Sequence, residues 1–239
     1  MILLKKTSFT RGVRRGLPVG VGYFSVSFGF GAMAVSQGIR ALDAALISLT
    51  NLTSAGQFAG LTLIVAAASL WEIVLTQIVI NSRYSLMSLA LSQRLGKNVG
   101  IPGRLAIAFV NTDEIFALAM AEKEPLSTSF MMGLGSLPVL GWTSGTLFGA
   151  LAGSVLPGNI RTALGVMLYG MFIAIVVPPA KQEKPVRITV ILAMVLSCLF
   201  AWAPVLKTVS PGVAIVVCTV AAAAVCAWLF PIREEEAKV

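Results

Sequence analysis

The chain alternates long apolar runs with short polar breaks, and the runs have the length of membrane spans. Eight segments can be delimited: 16–37, 43–69, 72–93, 105–121, 130–156, 160–179, 188–206 and 211–230. A hydrocarbon core about 30 Å thick is crossed by about 20 apolar residues of helix. Inside it, every backbone N–H and C=O must be paired within the segment. The pattern therefore predicts an all-α, polytopic integral membrane protein with seven to eight transmembrane segments, forming a single membrane domain over 1–239.

Polar residues interrupt this pattern at particular places. Segment two contains Thr50-Asn51-Leu52-Thr53-Ser54-Ala55-Gly56-Gln57, with five hydroxyl or amide side chains in the middle of an apolar run. Such a cluster is costly in hydrocarbon unless it lines a cavity. Ser54 and Gln57 have capping-box spacing. We expect a broken or re-entrant helix, with a half-helix starting near Ser54 and its N–H groups facing an anion. The alternative is a continuous helix whose Ser and Thr bond back to their own carbonyls.

Segment three carries Gln77, Asn81, Ser85, Ser88 and Ser92 on one stripe, with Arg83 on a different face. At that depth Arg83 needs a partner, or must snorkel along its stem to an interface. Segment four contains Asn111-Thr112-Asp113-Glu114. Asn111 and Glu114 again have cap-to-N3 spacing, which predicts a second break. Acids within a membrane act as proton relays or cation partners; otherwise they mark an interfacial helix start.

Glycines recur in steps of four at Gly12, Gly16 and Gly20, and at Gly141, Gly145, Gly149 and Gly153. That spacing predicts close helix packing. An echo of 118 to 120 residues links Leu17-Pro18 and Phe30-Gly31-Ala32 to Leu137-Pro138 and Phe148-Gly149-Ala150. It predicts repeat halves at 11–121 and 130–230, inverted if segment two is re-entrant and seven segments cross.

Composition agrees: 57% hydrophobic, 12% charged, mean hydropathy +0.89. A soluble domain carries roughly 25% charged residues. The net charge of +8 is spread over loops and ends, so no nucleic-acid face is expected. Lys5, Lys6, Arg11, Arg14 and Arg15, five of eighteen basic residues, precede the first apolar segment and predict a cytoplasmic N-terminus. The run after them is too long and Gly-rich for a signal peptide and reads as a retained span. Cys198, Cys218 and Cys226 lie in apolar runs without metal or redox spacing. There is no His and no phosphate loop. An enzyme reading is poor, no cofactor or metal is expected, and a carrier driven by an ion gradient fits better.

The ordered set Arg-Gly-Leu-Pro, Phe-Gly-Phe-Gly, Ser54-Ala-Gly-Gln57-Phe58, Asn81-Ser-Arg83 and Thr112-Asp113-Glu114-x-Phe116 resembles the AzlC-type large subunit of bacterial branched-chain amino-acid exporters over residues 11 to 120. The resemblance implies a plasma-membrane exporter of leucine, isoleucine, valine and methionine. It implies coupling to the proton motive force and a small AzlD-type membrane subunit as partner. The residues accommodate a zwitterion. Asn51, Thr53, Ser54, Gly56 and Gln57 would hold its carboxylate, and Asp113 or Glu114 its ammonium and the coupling proton. Phe24, Phe28 and Phe58 would line the side-chain pocket, while Asn81 and Arg83 order the broken helices or pair with an acid. The alternative is a channel-like permease or a structural membrane subunit for another small solute.

Overall fold

The computed structural model describes residues 2–96, 98–153, 173 and 176–231; side chains of 2–7 and of residue 207 are not described. The described residues are helical apart from turns and one isolated bridge between Leu95 and Leu126. The helices are α1 (Ile2–Ser36), α2 (Ala41–Thr50), α3 (Ser54–Val65), α4 (Leu70–Arg94), α5 (Ile101–Val110), α6 (Asp113–Met120), α7 (Thr128–Gly153), α8 (Lys184–Trp202) and α9 (Pro211–Leu229). Ser8–Ser36, α8 and α9 are long and apolar enough to cross a membrane by themselves. The segment expected over 160–179 lies mostly outside the described residues.

The chain divides into two compact units, one of Met1–Phe58 with Asn81–Leu168 and the other of Ala59–Ile80 with Tyr169–Val239. The first is organised around α1 and α7. Their glycine rows face each other, as the small-residue spacing requires. A Cβ on Gly141 would fall on the Gly20 carbonyl oxygen, and one on Gly149 on that of Phe28. Gly145 meets Phe24, and Gly153 meets Ala32. The facing positions stay 121 residues apart, so α1 and α7 run parallel. The two helices of the sequence echo are direct neighbours with the same direction; an inverted pair would have opposite directions.

Helix α4 runs the other way. Arg15 of α1 and Arg94 of α4 both meet Glu122, while Tyr23 of α1 and Arg83 of α4 meet the start of α6. Between these long helices lie two hairpins of short ones. Helix α5 follows α7 upward, with Gly103 against Thr128 and Val110 against Gly135. Helix α6 then returns from Tyr23 to Glu122. At 1.5 Å per residue these two helices are ~15 and ~12 Å long, about half a bilayer core. The fourth apolar run is therefore a re-entrant hairpin, a correction to its reading as a crossing. It was counted as one because 105–121 is apolar throughout except at the break.

The second segment is built likewise from the opposite end. Helix α2 descends until Ser48 touches Thr146, and the chain turns at 51–53. Helix α3 then climbs past Ser48, placing Phe58 edge-on to Phe30 with ring centroids 5.0 Å apart. Of the two continuations foreseen for the polar octet, the interrupted helix is the one observed.

In the second unit the end of α3 packs on the start of α4, with Gly60 against Gln77. Gly212 of α9 sits against Leu63, Glu72 and Thr76. Here Ser69 and Glu72 form the capping box: the carboxylate accepts from Ser69 N at 3.0 Å and Ser69 Oγ from Glu72 N at 3.3 Å. Helix α8 has no buried residue, as expected of a helix whose faces are covered by lipid.

Candidate functional site

The two hairpin tips carry the polar residues that the apolar pattern could not absorb. Each tip has the same construction. An Asn ends the descending helix: Asn51 closes α2, and Asn111 closes α5. A Thr then caps the returning helix. Thr53 Oγ1 accepts from Gly56 N, and Thr112 Oγ1 from Ile115 N, each at 3.4 Å. An N-cap hydroxyl satisfies one of the orphan donors that every helix start leaves. Spacing had pointed to Ser54–Gln57 and Asn111–Glu114 as the cap pairs; Thr53 and Thr112 take that role instead. The cap-to-N3 pattern fits both registers on paper. The backbone turn selects the residue nearest the new helix.

Freed from capping, Gln57 points inward and is fully buried. Its Oε1 accepts from Ser48 Oγ at 2.9 Å and from Trp142 Nε1 at 3.2 Å. Ser48 also bonds Thr146, oxygen to oxygen 2.6 Å. Gln57 Nε2 is buried without a hydrogen-bond partner. An unpaired buried donor costs about 1–3 kcal/mol, so in a native site it calls for an explanation.

The second tip holds the charges. Asp113 pairs with Arg83 of α4, with Nη1 to its carboxylate oxygens at 2.7 and 2.8 Å. Arg83 also donates to Tyr84 OH at 3.3 Å and lies over that ring. Glu114 receives a short hydrogen bond from Tyr23 OH, which also reaches Thr112 Oγ1 at 2.7 Å. Among the described residues, Glu114 has no Lys or Arg within ion-pair distance. The Tyr23 ring meets the Trp142 ring edge-on at 5.0 Å. One chain of contacts thus runs from Gln57 through Trp142 and Tyr23 to Glu114. From the polar stripe of α4, Ser88 Oγ accepts from Asn111 Nδ2 at 3.4 Å.

Asn51, Thr53, Ser54, Gly56 and Gln57 fall at the first tip; Asp113 and Glu114 fall at the second, and Arg83 reaches it from α4. Asn81 lies on α4 less than one turn before Arg83. The aromatic pocket is corrected. Phe24 faces outward, half exposed, in a groove between α1 and α7 with its ring 6.1 Å from Phe148. Phe28 packs its backbone on Gly149. Phe58 meets Phe30, which the sequence reading passed over. Helical faces cannot be assigned before the partner helix is known, and the glycine row of α7 claims the face of Phe24 and Phe28.

Tyr23, Tyr84, Trp142, Ser48 and Thr146 were also missed. A signal existed for Trp142: an indole in mid-segment is out of place, since Trp favours the interface. Tyr23 and Tyr84 are likewise two of only three tyrosines.

The fold and the site define an all-α integral membrane protein with a polar centre built from interrupted helices. Residues 18–156 match the family model described as AzlC protein. The chain belongs to the AzlC family, which is associated with membrane transport. It is 29% identical over 189 residues to the inner membrane protein YgaZ of Escherichia coli, covering 76% of this chain and 77% of that one. An uncharacterized membrane protein of Archaeoglobus fulgidus is 31% identical over 181 residues, 75% and 79% of the two chains. One from Helicobacter pylori is 35% identical over 138 residues, 56% and 59% of the two chains. No solved structure matches.

Proposed function

We propose that the protein is a secondary transporter that exports branched-chain amino acids (leucine, isoleucine, valine and methionine) across the bacterial plasma membrane. In this reading it is proton-coupled, its N-terminus is cytoplasmic, and it works as the large subunit beside a small AzlD-type membrane protein. The observation that carries the reading is the buried Nε2 of Gln57, which has no hydrogen-bond partner, close to two interrupted helices with carboxylates at one tip. Orphan donors and half-helix starts suit a substrate carboxylate. The carboxylates suit an ammonium or a proton.

The surroundings separate the two acids. Asp113 is already neutralised by Arg83 and is better suited to holding α6 against α4. Glu114 rests on a neutral phenol, so we assign it the substrate ammonium or the coupling proton. An aliphatic side chain would lie against the apolar wall near Phe58.

The test is counterflow and gradient-driven accumulation of labelled leucine in proteoliposomes, with and without the small partner. Glu114→Gln is expected to keep exchange and lose proton-driven accumulation. Gln57→Ala is expected to raise KM about tenfold, the loss of roughly one charge-assisted hydrogen bond. Normal transport by both Gln57→Ala and Glu114→Gln would remove this site, and flux that never accumulates against a gradient would mean a channel.

A further inference from the structure

The second hairpin tip holds two acids side by side, and their partners differ in kind. Asp113 faces the guanidinium of Arg83, with Nη1 2.7 and 2.8 Å from its carboxylate oxygens. That pairing suits one charge state only, because a proton on Asp113 would leave the cation without a counter-charge. Glu114 instead meets the hydroxyl of Tyr23, which also lies 2.7 Å from Thr112 Oγ1. Both members of this chain are neutral hydroxyls, and Thr112 is buried.

A hydroxyl carries one hydrogen and accepts through two lone pairs. Tyr23 can therefore donate to Glu114 or to Thr112, but not to both at once. With Glu114 ionised the hydrogens run one way: Thr112 donates to Tyr23, and Tyr23 donates to the carboxylate. Thr112 keeps a lone pair for Ile115 N, 3.4 Å away. With Glu114 protonated they run the other way: Glu114 donates to Tyr23, and Tyr23 donates to Thr112. Each hydroxyl oxygen keeps its own hydrogen and only rotates; the one new O–H bond is on Glu114, with a proton taken from water. The Thr112 hydrogen then needs another acceptor. Asn111 Oδ1, on the preceding residue, is buried without a hydrogen-bond partner.

We infer that Tyr23 and Thr112 are positioning residues that form a reversible pair of hydroxyls, satisfying Glu114 in both charge states and making it the site of the coupling proton rather than of the substrate ammonium. An ammonium site needs only the ionised carboxylate; a proton site in a poorly solvating interior needs partners for both forms. What the proton drives rests on the transporter reading above; the hydroxyl switch does not. Few titratable groups surround α6 among the described residues. On α4, Arg83 pairs with Asp113 and donates to Tyr84 OH at 3.3 Å. Arg11 and Arg15 of α1 and Arg94 of α4 meet Glu122, beyond the other end of α6. Arg104 of α5 donates to Val99 O. Helix α7 has no titratable residue and sets Trp142 edge-on to the Tyr23 ring at 5.0 Å.

The test is infrared difference spectroscopy of the full chain in proteoliposomes, acid minus neutral, in which a protonated carboxyl gives its own C=O band. Glu114→Gln identifies the band by deleting it. Tyr23→Phe keeps the ring against Trp142 and removes only the hydroxyl. It is expected to move the Glu114 band to higher frequency and to lower the ratio of gradient-driven leucine accumulation to counterflow about tenfold, the loss of one hydrogen bond to a charged group. Thr112→Val should shift the band in the same direction by less, and Thr112→Ser should keep it in place. Adding Tyr23→Phe to Glu114→Gln should cost no further accumulation. A Glu114 band that stays in place in both Tyr23→Phe and Thr112→Val overturns the switch and leaves Glu114 as the proton site. If Glu114→Gln removes no band, Glu114 takes no proton, and the switch and the proton-coupled reading fall together. A band that shifts as expected, with no leucine accumulation under any gradient, supports the switch and removes leucine as the substrate.

Discussion

At the scale of single residues, the centre of the molecule is a set of polar groups that apolar surroundings force into pairs. Arg83 and Asp113 illustrate the constraint. Each is close to half exposed on the protein surface, yet both lie on segments whose flanks are apolar, so losing either partner leaves a charge that the environment solvates poorly. We expect Asp113→Asn and Arg83→Gln each to lower thermal stability in detergent, and the double substitution to recover part of the loss. The coupling should be on the order of 1 kcal/mol. A strictly additive double-mutant cycle would show that the pair is incidental. At this scale the sequence was informative about which residues matter and less so about their partners. Arg83 and both acids stand out because charge is rare in such segments. Gln57 was noticed as a cap, whereas its burial against Trp142 depends on a helix 85 residues away. Tyr23 and Tyr84 carry no charge and sit in apolar company, so nothing local distinguishes their hydroxyls.

At the scale of elements, packing of α1 on α7 is the feature that the sequence announced most clearly and the one that disturbed the aromatic assignment. Glycine every fourth residue marks a close face on both helices, and the facing rows leave no space for a Cβ. Gly149→Leu is expected to force α7 away from the Phe28 carbonyl and lower the melting temperature by several degrees, an overpacking cost of at least about 1–3 kcal/mol. Gly22 meets nothing within 4 Å, so Gly22→Ala should be neutral or stabilising by up to about 1 kcal/mol through helix propensity. Melting curves that moved equally for both would mean that the glycine row is not a packing face. Breaks in helices were legible for a different reason. Polar residues inside a hydrophobic run have few physical outcomes, and interruption is the one that also pairs the backbone. Which residue caps the new helix was not legible, because adjacent hydroxyls at 53 and 54 offer the same chemistry one register apart.

At the scale of the whole chain, hairpins change the bookkeeping of sidedness. If segments two and four both crossed the bilayer, the loop at 95–100 and the loop at 121–127 would lie on opposite faces. In the structure both lie at the end of α1 that carries Arg11 and Arg15: Leu126 and Gly96 are hydrogen-bonded to each other, and Arg11 pairs with Glu124. That arrangement gathers Arg11, Arg14, Arg15, Arg94, Arg104 and Lys123 at one end of the first unit and leaves Arg40 at the other, among described residues. From the sequence, the positive-inside rule did not separate seven crossings from eight, and an inverted repeat favoured seven slightly. With two hairpins the basic residues of the first unit other than Arg83 separate by end, the pattern that the positive-inside rule reads as a cytoplasmic N-terminus. Asn98→Cys and Lys123→Cys, in a background with Cys198, Cys218 and Cys226 replaced by Ser, should therefore react with an impermeant reagent only from the cytoplasmic side, and Gly38→Cys only from the opposite side. Modification of Asn98→Cys and Lys123→Cys from opposite sides would make α5 and α6 a single crossing and dissolve the second hairpin. An interrupted helix that continues across the bilayer cannot bring Glu122 back to Arg15, with which it pairs at 2.6 Å.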